Sequence, residues 1–152
     1  MSAHVCLGSN RLFSSSRLAG LRIGLVCNHA SVDRGFVHVI ERAARTPGVT
    51  LGAIFGPQHG FRSDVQENMI ETGDGHDDLR RVPVYSLYSE TREPTPAMLD
   101  GLDVLVIDLQ DVGARIYTFI YTILFTFLDF FISVQIVVFN WSSLWLNSWM
   151  SG

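Results

Sequence analysis

Leu102–Leu109 reads LDVLVIDL and runs straight into Gln110–Arg115, QDVGAR. A short, continuous run of Leu, Val and Ile with polar residues at its end is the pattern of a strand buried on both faces. Such strands belong to parallel sheets covered by helices on either side. Working outward, Val82–Tyr88 (VPVYSLY) alternates as a strand, with Pro83 tolerated near its start or at an edge. Thr95–Leu99 predicts a short helix entered through Pro94 and Pro96. Nearer the start, Arg22–Cys27 (RIGLVC) and Val49–Phe55 (VTLGAIF) are apolar runs ending at Asn28-His29 and Gly56-Pro57. Between them, Gly35–Arg45 sets Phe36, Val39, Ile40 and Ala43 at helical spacing, and Pro47-Gly48 stops the helix. Strand, helix, strand, loop, strand, short helix, strand predicts an α/β domain with a mainly parallel sheet. Ligands of such sheets bind beyond the carboxyl ends of the strands.

The chain has 152 residues, one domain's worth, with 47% hydrophobic and 17% charged residues, so disorder of the whole chain is excluded. A net charge of −4 argues against a nucleic-acid binder that relies on a broad basic surface. Two cysteines, Cys6 and Cys27, are too few for a disulfide framework or a cysteine zinc site, and Cys27 at a strand end reads as core. The averages conceal a break near Arg115. All eleven basic residues are Arg at or before that position, and fourteen of the fifteen acidic residues precede it. All three Trp and six of the ten Phe follow it.

Three units are therefore expected: a loose lead-in over 1–20, an α/β domain over 21–124, and a divergent hydrophobic tail over 125–152. The lead-in lacks the apolar core of a secretory signal, so no export signal is visible. Residues 117–139 are apolar for long enough to cross a bilayer at about 20 residues per span. The opposing reading is a buried helix followed by a strand at Val134–Phe139, which Thr118, Thr122, Thr126 and Gln135 favour.

Two polar clusters fall at predicted strand ends. In FGPQHGFRSD, Phe55–Asp64, the Gly56-Pro57 turn projects Gln58 and His59 at the sheet edge, and Arg62 and Asp64 complete the cluster. His59 has the titration range of a general base. In DLQDVGAR, Asp108 and Gln110 leave the strand on one face and Asp111 opens the loop, so two carboxyls stand where an acid/base pair can form. The bland alternative is an Asp capping the next helix with Arg115 in a salt bridge. Glu67, Glu71, His76, Asp77 and Asp78 lie in a polar stretch, Gln58–Arg81, that reads as one long loop. No fixed register there suggests a metal site.

Leu21–Asp33 (LRIGLVCNHASVD), Pro47–Arg62 (PGVTLGAIFGPQHGFR), Val82–Leu99 and Asp103–Thr122 (DVLVIDLQDVGARIYTFIYT) are four ordered blocks that resemble the exo-β-N-acetylmuramidase family of the NamZ type. The resemblance implies a Rossmann-like N-terminal domain, here incomplete at its C-terminus. It also implies a second domain, with a glycosidase site between the two that releases N-acetylmuramic acid from non-reducing ends of peptidoglycan fragments. No metal or organic cofactor is implied, and members are often exported. Arg62 and Arg115 then suit the lactyl carboxylate of a muramyl sugar, with Asn28, His29, Gln110 and Tyr117 completing the substrate-binding set.

One departure from the family concerns the G-P-E-H-G motif, whose Glu is replaced by Gln58. An amide neither donates a proton as an acid nor accepts one as a carboxylate. The catalytic set is then sought among His59, Asp64, Asp108 and Asp111, with Gln58 positioning an acetamido group or a water. Beyond about Leu124 the sequence also leaves the family pattern. Little or no turnover is expected of this chain alone. A non-catalytic sugar-binding module or a membrane-tethered one remains the alternative.

Overall fold

The computed structural model describes residues 6–58, 60–62, 73–110, 119–130 and 135–138. The apolar runs become strands β1 (Arg22–Cys27), β2 (Thr50–Gly56), β4 (Val82–Ser86) and β5 (Val104–Asp108), joined by β3 (Gly75–Asp77) and β6 (Gln135–Val138). They form one sheet in the order β3-β4-β2-β1-β5-β6. All neighbours run parallel except β3, which pairs antiparallel with β4 at the edge. The α/β, Rossmann-like class is therefore the observed one. After β4 the chain crosses back over β2 and β1 to place β5 on the other side of β1, so the strand order reverses between β1 and β5.

Alternation within the strands supplies two apolar faces. Ile23, Leu25, Cys27, Ile54, Val104 and Val106 face helices α1 (Gly8–Phe13) and α2 (Val39–Arg45). Val26, Ala53, Phe55, Leu105 and Ile107 face α3 (Pro96–Leu99) and α4 (Phe119–Phe130). Each fully buried aliphatic side chain contributes about 1.5–3 kcal/mol, so these two layers carry the fold.

Several expectations change on contact with the structure. In the lead-in, α1 and a 3-10 turn at Ser16–Leu18 bury Leu12, Phe13 and Leu18 in the core, so this part is packed and not loose. The loop expected over 58–81 contains β3, whose Gly-His-Asp composition carries no strand signal. Its partner β4 supplies the ladder. Helix α2 begins at Val39 and not Gly35, because the Asp33 carboxylate accepts the Gly35 and Val37 N–H groups and holds them in a turn.

Among the described residues no helix is long and apolar enough to cross a membrane. Instead α4 is followed by β6 alongside β5, as the buried-helix reading has it. Thr122 and Thr126 are buried, and the Thr126 hydroxyl donates to the Thr122 carbonyl at 2.6 Å.

Gly24 sits at a point of the sheet closed by three apolar side chains. It lies opposite Leu105 in the β1–β5 register, and a Cβ there would stand 2.7 Å from Leu105 Cδ1, 2.9 Å from Leu102 Cδ1 and 3.0 Å from Phe55 Cε2. Three apolar side chains cannot all withdraw from a packed layer. Gly24→Ala is expected to cost about 1–3 kcal/mol, read as a lower urea midpoint with an unchanged denaturant slope.

Candidate functional site

Where the strand order reverses, the protein closes the crevice with its own polar groups. Asn28, 1% exposed, ends β1. Its Nδ2 donates to the Gln110 carbonyl at 3.0 Å, and its Oδ1 accepts from the Ala30 N–H at 3.1 Å. The buried Ser31 hydroxyl accepts the Asn28 N–H at 3.0 Å. It lies within donating reach of both the Asp108 carbonyl and Asn28 Oδ1, to one of which its single proton goes. Gln110 Nε2 donates to the Val32 carbonyl at 3.4 Å. The sequence places Asn28, Asp108 and Gln110 at strand ends, and there the structure brings them together. Asn28 and Asp108 are buried, Asp108 with 2% exposure. Burial, and after it the Asp108 carboxylate, pushes the Cys27 thiol pKa far up, so Cys27 remains a protonated core residue.

The second strand end is shaped by glycine. The Gly60 N–H donates to the Pro57 carbonyl at 2.9 Å and Gly60 takes φ +71, a left-handed conformation. The chain thereby folds back on β2, so close that a Cβ on Gly56 would lie 2.9 Å from the Phe61 backbone nitrogen. This turn carries the half-buried Gln58 at its outer corner and delivers Phe61 and Arg62 beside the end of β1.

Here the molecule opens. A groove of about 550 Å³ is lined by His29 after β1, by Phe61 and Arg62 after β2, by Arg80, and by Phe36, His38 and Glu41 around the start of α2. Arg62 is 62% exposed, and its guanidinium rests 5.0 Å from the Phe61 ring centroid and 3.9 Å from the Asp77 carboxylate. Asp77 is buried and is held by the Arg80 guanidinium at 2.8 Å and by the Arg80 N–H at 3.1 Å. Arg80 also pairs with Glu41, which pairs with Arg45 at 2.6 Å. One chain of alternating charges thus runs from α2 to the mouth of the groove and ends on the exposed Arg62 side chain.

The electrostatics follow from these contacts. Burial works to raise the Asp77 pKa, but the Arg80 N–H and guanidinium outweigh it and hold the carboxyl below its ordinary range. Hydrogen bonds from Arg80 do the same for Glu41. The Val37 N–H, followed by Arg42 and the Gly35 N–H, keeps Asp33 low despite burial. His38 shifts the other way: burial, aided by Arg80 and His29, lowers its pKa against the pull of the Asn28 carbonyl. Its Nε2 donates to that carbonyl at 2.8 Å, and Nδ1 accepts the Ile40 N–H at 3.3 Å, capping α2. Both bonds together require the neutral ring.

Of the residues singled out from sequence, the groove gathers His29 and Arg62, whereas Asn28, Asp108 and Gln110 sit in the polar clamp. His59, Asp64, Asp111, Arg115 and Tyr117 lie outside the described residues, as do Glu67 and Glu71. Sequence reasoning missed Ser31, His38 and Arg80. A serine four residues after a strand and a histidine before a helix start were the only signals for the first two. His76 pairs with Asp78 at 3.2 Å while Asp77 turns to Arg80. Among the described residues no three His, Cys, Asp or Glu side chains form a group able to hold a metal.

In doubly wound domains, the carboxyl ends of neighbouring strands are where ligands generally bind, and the groove lies there. The family described as exo-beta-N-acetylmuramidase NamZ, N-terminal, matches residues 23–138, and the chain belongs to that family. The match takes in α4 and β6. Over 104 residues the chain is 45% identical to the peptidoglycan beta-N-acetylmuramidase NamZ of Bacillus subtilis (strain 168), covering 68% of this chain and 25% of that protein. Two crystal structures of DUF1343 family proteins from Bacteroides fragilis NCTC 9343 are similar. One has a TM-score of 0.75 at 36% identity, covering 87% of this chain and 33% of its own. The other has a TM-score of 0.65 at 25% identity, covering 90% and 34%. The chain therefore spans a quarter of the curated relative and about a third of each solved one.

Because folded His38 binds a proton less readily than unfolded His38, its contribution to stability is complete above the unfolded value near 6.5. That contribution is lost as pH falls through the lower folded value. Asp33, Glu41 and Asp77, held low, contribute above about 4 and lose that contribution as pH falls further. Urea unfolding between pH 3 and 8 is expected to show stability falling as pH falls below about 6.5, and His38→Gln to remove the His38 share of that decline while leaving the carboxylate share.

Proposed function

We propose that the chain is the sugar-recognising part of a peptidoglycan-active glycosidase of the exo-β-N-acetylmuramidase type, and that alone it turns substrate over little or not at all. In this reading the enzyme releases N-acetylmuramic acid from non-reducing ends of peptidoglycan fragments. The observation that carries it is the exposed Arg62 guanidinium, anchored by Asp77 and Phe61 beside His29 in a groove at the strand ends. Kinship over residues 23–138 supports the class of substrate. A lactyl carboxylate is the group that separates muramic acid from the other amino sugar of the wall, and a guanidinium binds carboxylate through two parallel hydrogen bonds. His29 on the groove wall adds a donor to the same ligand.

Glycoside hydrolysis needs two carboxyls roughly 5–9.5 Å apart. Gln58 supplies neither, and its amide is assigned to the acetamido group or a water. Asp108 closes β5 under the clamp, and Asp64, Asp111 and His59 complete the candidate set, with Arg115 and Tyr117 as further contacts to the sugar. The amide at Gln58 equally favours a second reading, a module that binds the sugar without cleaving it.

Calorimetric titration with N-acetylmuramic acid and N-acetylglucosamine tests the proposal. Wild type is expected to prefer the acid, and Arg62→Ala to weaken the acid about tenfold or more while leaving the neutral sugar nearly unchanged. Equal binding of both sugars by wild type contradicts the carboxylate assignment. Release of the chromophore from a chromogenic muramide by wild type contradicts the expected lack of turnover.

A further inference from the structure

Phe36 is the largest anomaly of the described surface. It is 86% exposed, and its φ of +58 lies in the left-handed region that bulky residues rarely adopt. The turn that carries it is tightly made. The Asp33 carboxylate accepts the Gly35 N–H at 2.7 Å and the Val37 N–H at 3.0 Å, and the Asp33 carbonyl accepts the Phe36 N–H at 2.9 Å. The Asp33 N–H donates to the Val37 carbonyl at 3.0 Å, Arg42 of α2 pairs with the Asp33 carboxylate, and a bridge between Val32 and His38 closes the base. The protein thus keeps a strained backbone in order to display an aromatic ring that buries almost nothing of itself. Folding gains nothing from that arrangement, so its use lies in binding.

The ring stands on the wall of the same groove as His29, Phe61 and Arg62. A ligand that satisfies both an exposed aromatic face and an exposed guanidinium has an apolar surface and an anionic group on one small body. A carboxylate-bearing pyranose fits: the C–H bonds on one side of the sugar ring are electropositive and meet the negative face of an aromatic ring. We infer that Phe36 is the stacking platform of the groove, a substrate-binding residue on which the pyranose lies while its carboxylate reaches Arg62. The inference rests on the reading of the groove as a site for an anionic sugar and adds the residue that grips the ring itself.

The test uses the 152-residue chain with Phe36→Ala, Phe36→Gly and Phe36→Trp, titrated with N-acetylmuramic acid and N-acetylglucosamine. Stacking is indifferent to the carboxylate. The Ala and Gly variants are therefore expected to weaken both sugars about tenfold, where Arg62→Ala weakens only the acid, and Trp is expected to retain binding. Phe36→Gly is also expected to raise the melting temperature, because glycine takes positive φ without strain. A Phe36→Ala variant that binds N-acetylmuramic acid as wild type does overturns the platform and leaves the anionic-sugar reading intact. Loss of both sugars in Phe36→Ala, with no preference for the acid in wild type, keeps the platform and overturns the carboxylate. Wild type that binds neither sugar overturns both.

Discussion

Asn28 ends β1 with its amide turned across the reversal point of the sheet to the Gln110 carbonyl, 3.0 Å away. Its other end holds the Ala30 N–H, and its own carbonyl receives the His38 ring. One buried residue thereby ties the loop after β1 to the exit from β5 through its side chain, and to the start of α2 through its backbone carbonyl. Leaving such a group's partners unsatisfied in the interior costs about 1–3 kcal/mol for each. Ser31 and Gln110 reinforce the same clamp from both sides. The crevice that a doubly wound sheet normally offers to a ligand is occupied, at its β1–β5 junction, by the protein's own hydrogen bonds.

Closure there moves the opening one strand over. The groove lies beyond β1 and β2, and its walls depend on two devices that meet at α2. The Gly56–Gly60 turn brings Phe61 and Arg62 back against the sheet. The series Arg45, Glu41, Arg80, Asp77, Arg62 alternates in charge, and its three inner members each have an opposite charge on both sides. Arg62 ends the series with most of its side chain in solvent. Exposed ion pairs stabilise a fold little; the consequence of this series is the orientation of one cation at the groove.

The sheet was legible because parallel strands buried on both faces write themselves as apolar runs. LDVLVIDL and RIGLVC could be nothing else at their lengths, and β1 has the same bounds in the structure as in the sequence reading. What failed was whatever depended on a partner. β3 is a strand only because β4 pairs with it. Phe36 sits at helical spacing with Val39 and Ile40, yet the Asp33 carboxylate captures the turn and throws the ring outward. Strand-end logic found Asn28, His29, Arg62, Asp108 and Gln110. It could not tell that three of these face inward to one another and two face the groove, since that division is set by Ser31 and Arg80, whose partners are distant in sequence.

Amide hydrogen exchange on the wild type and on Asn28→Ala addresses the clamp directly. If the Asn28 side chain orders both strand-end loops, removing it lowers protection together at Ala30–Val32 and at Leu109–Gln110, while the first turn of α2, held through the retained Asn28 backbone carbonyl, changes less. Protection lost at Ala30 and Ser31 alone, with the β5 exit unchanged, would contradict a shared clamp and leave two independently ordered loops.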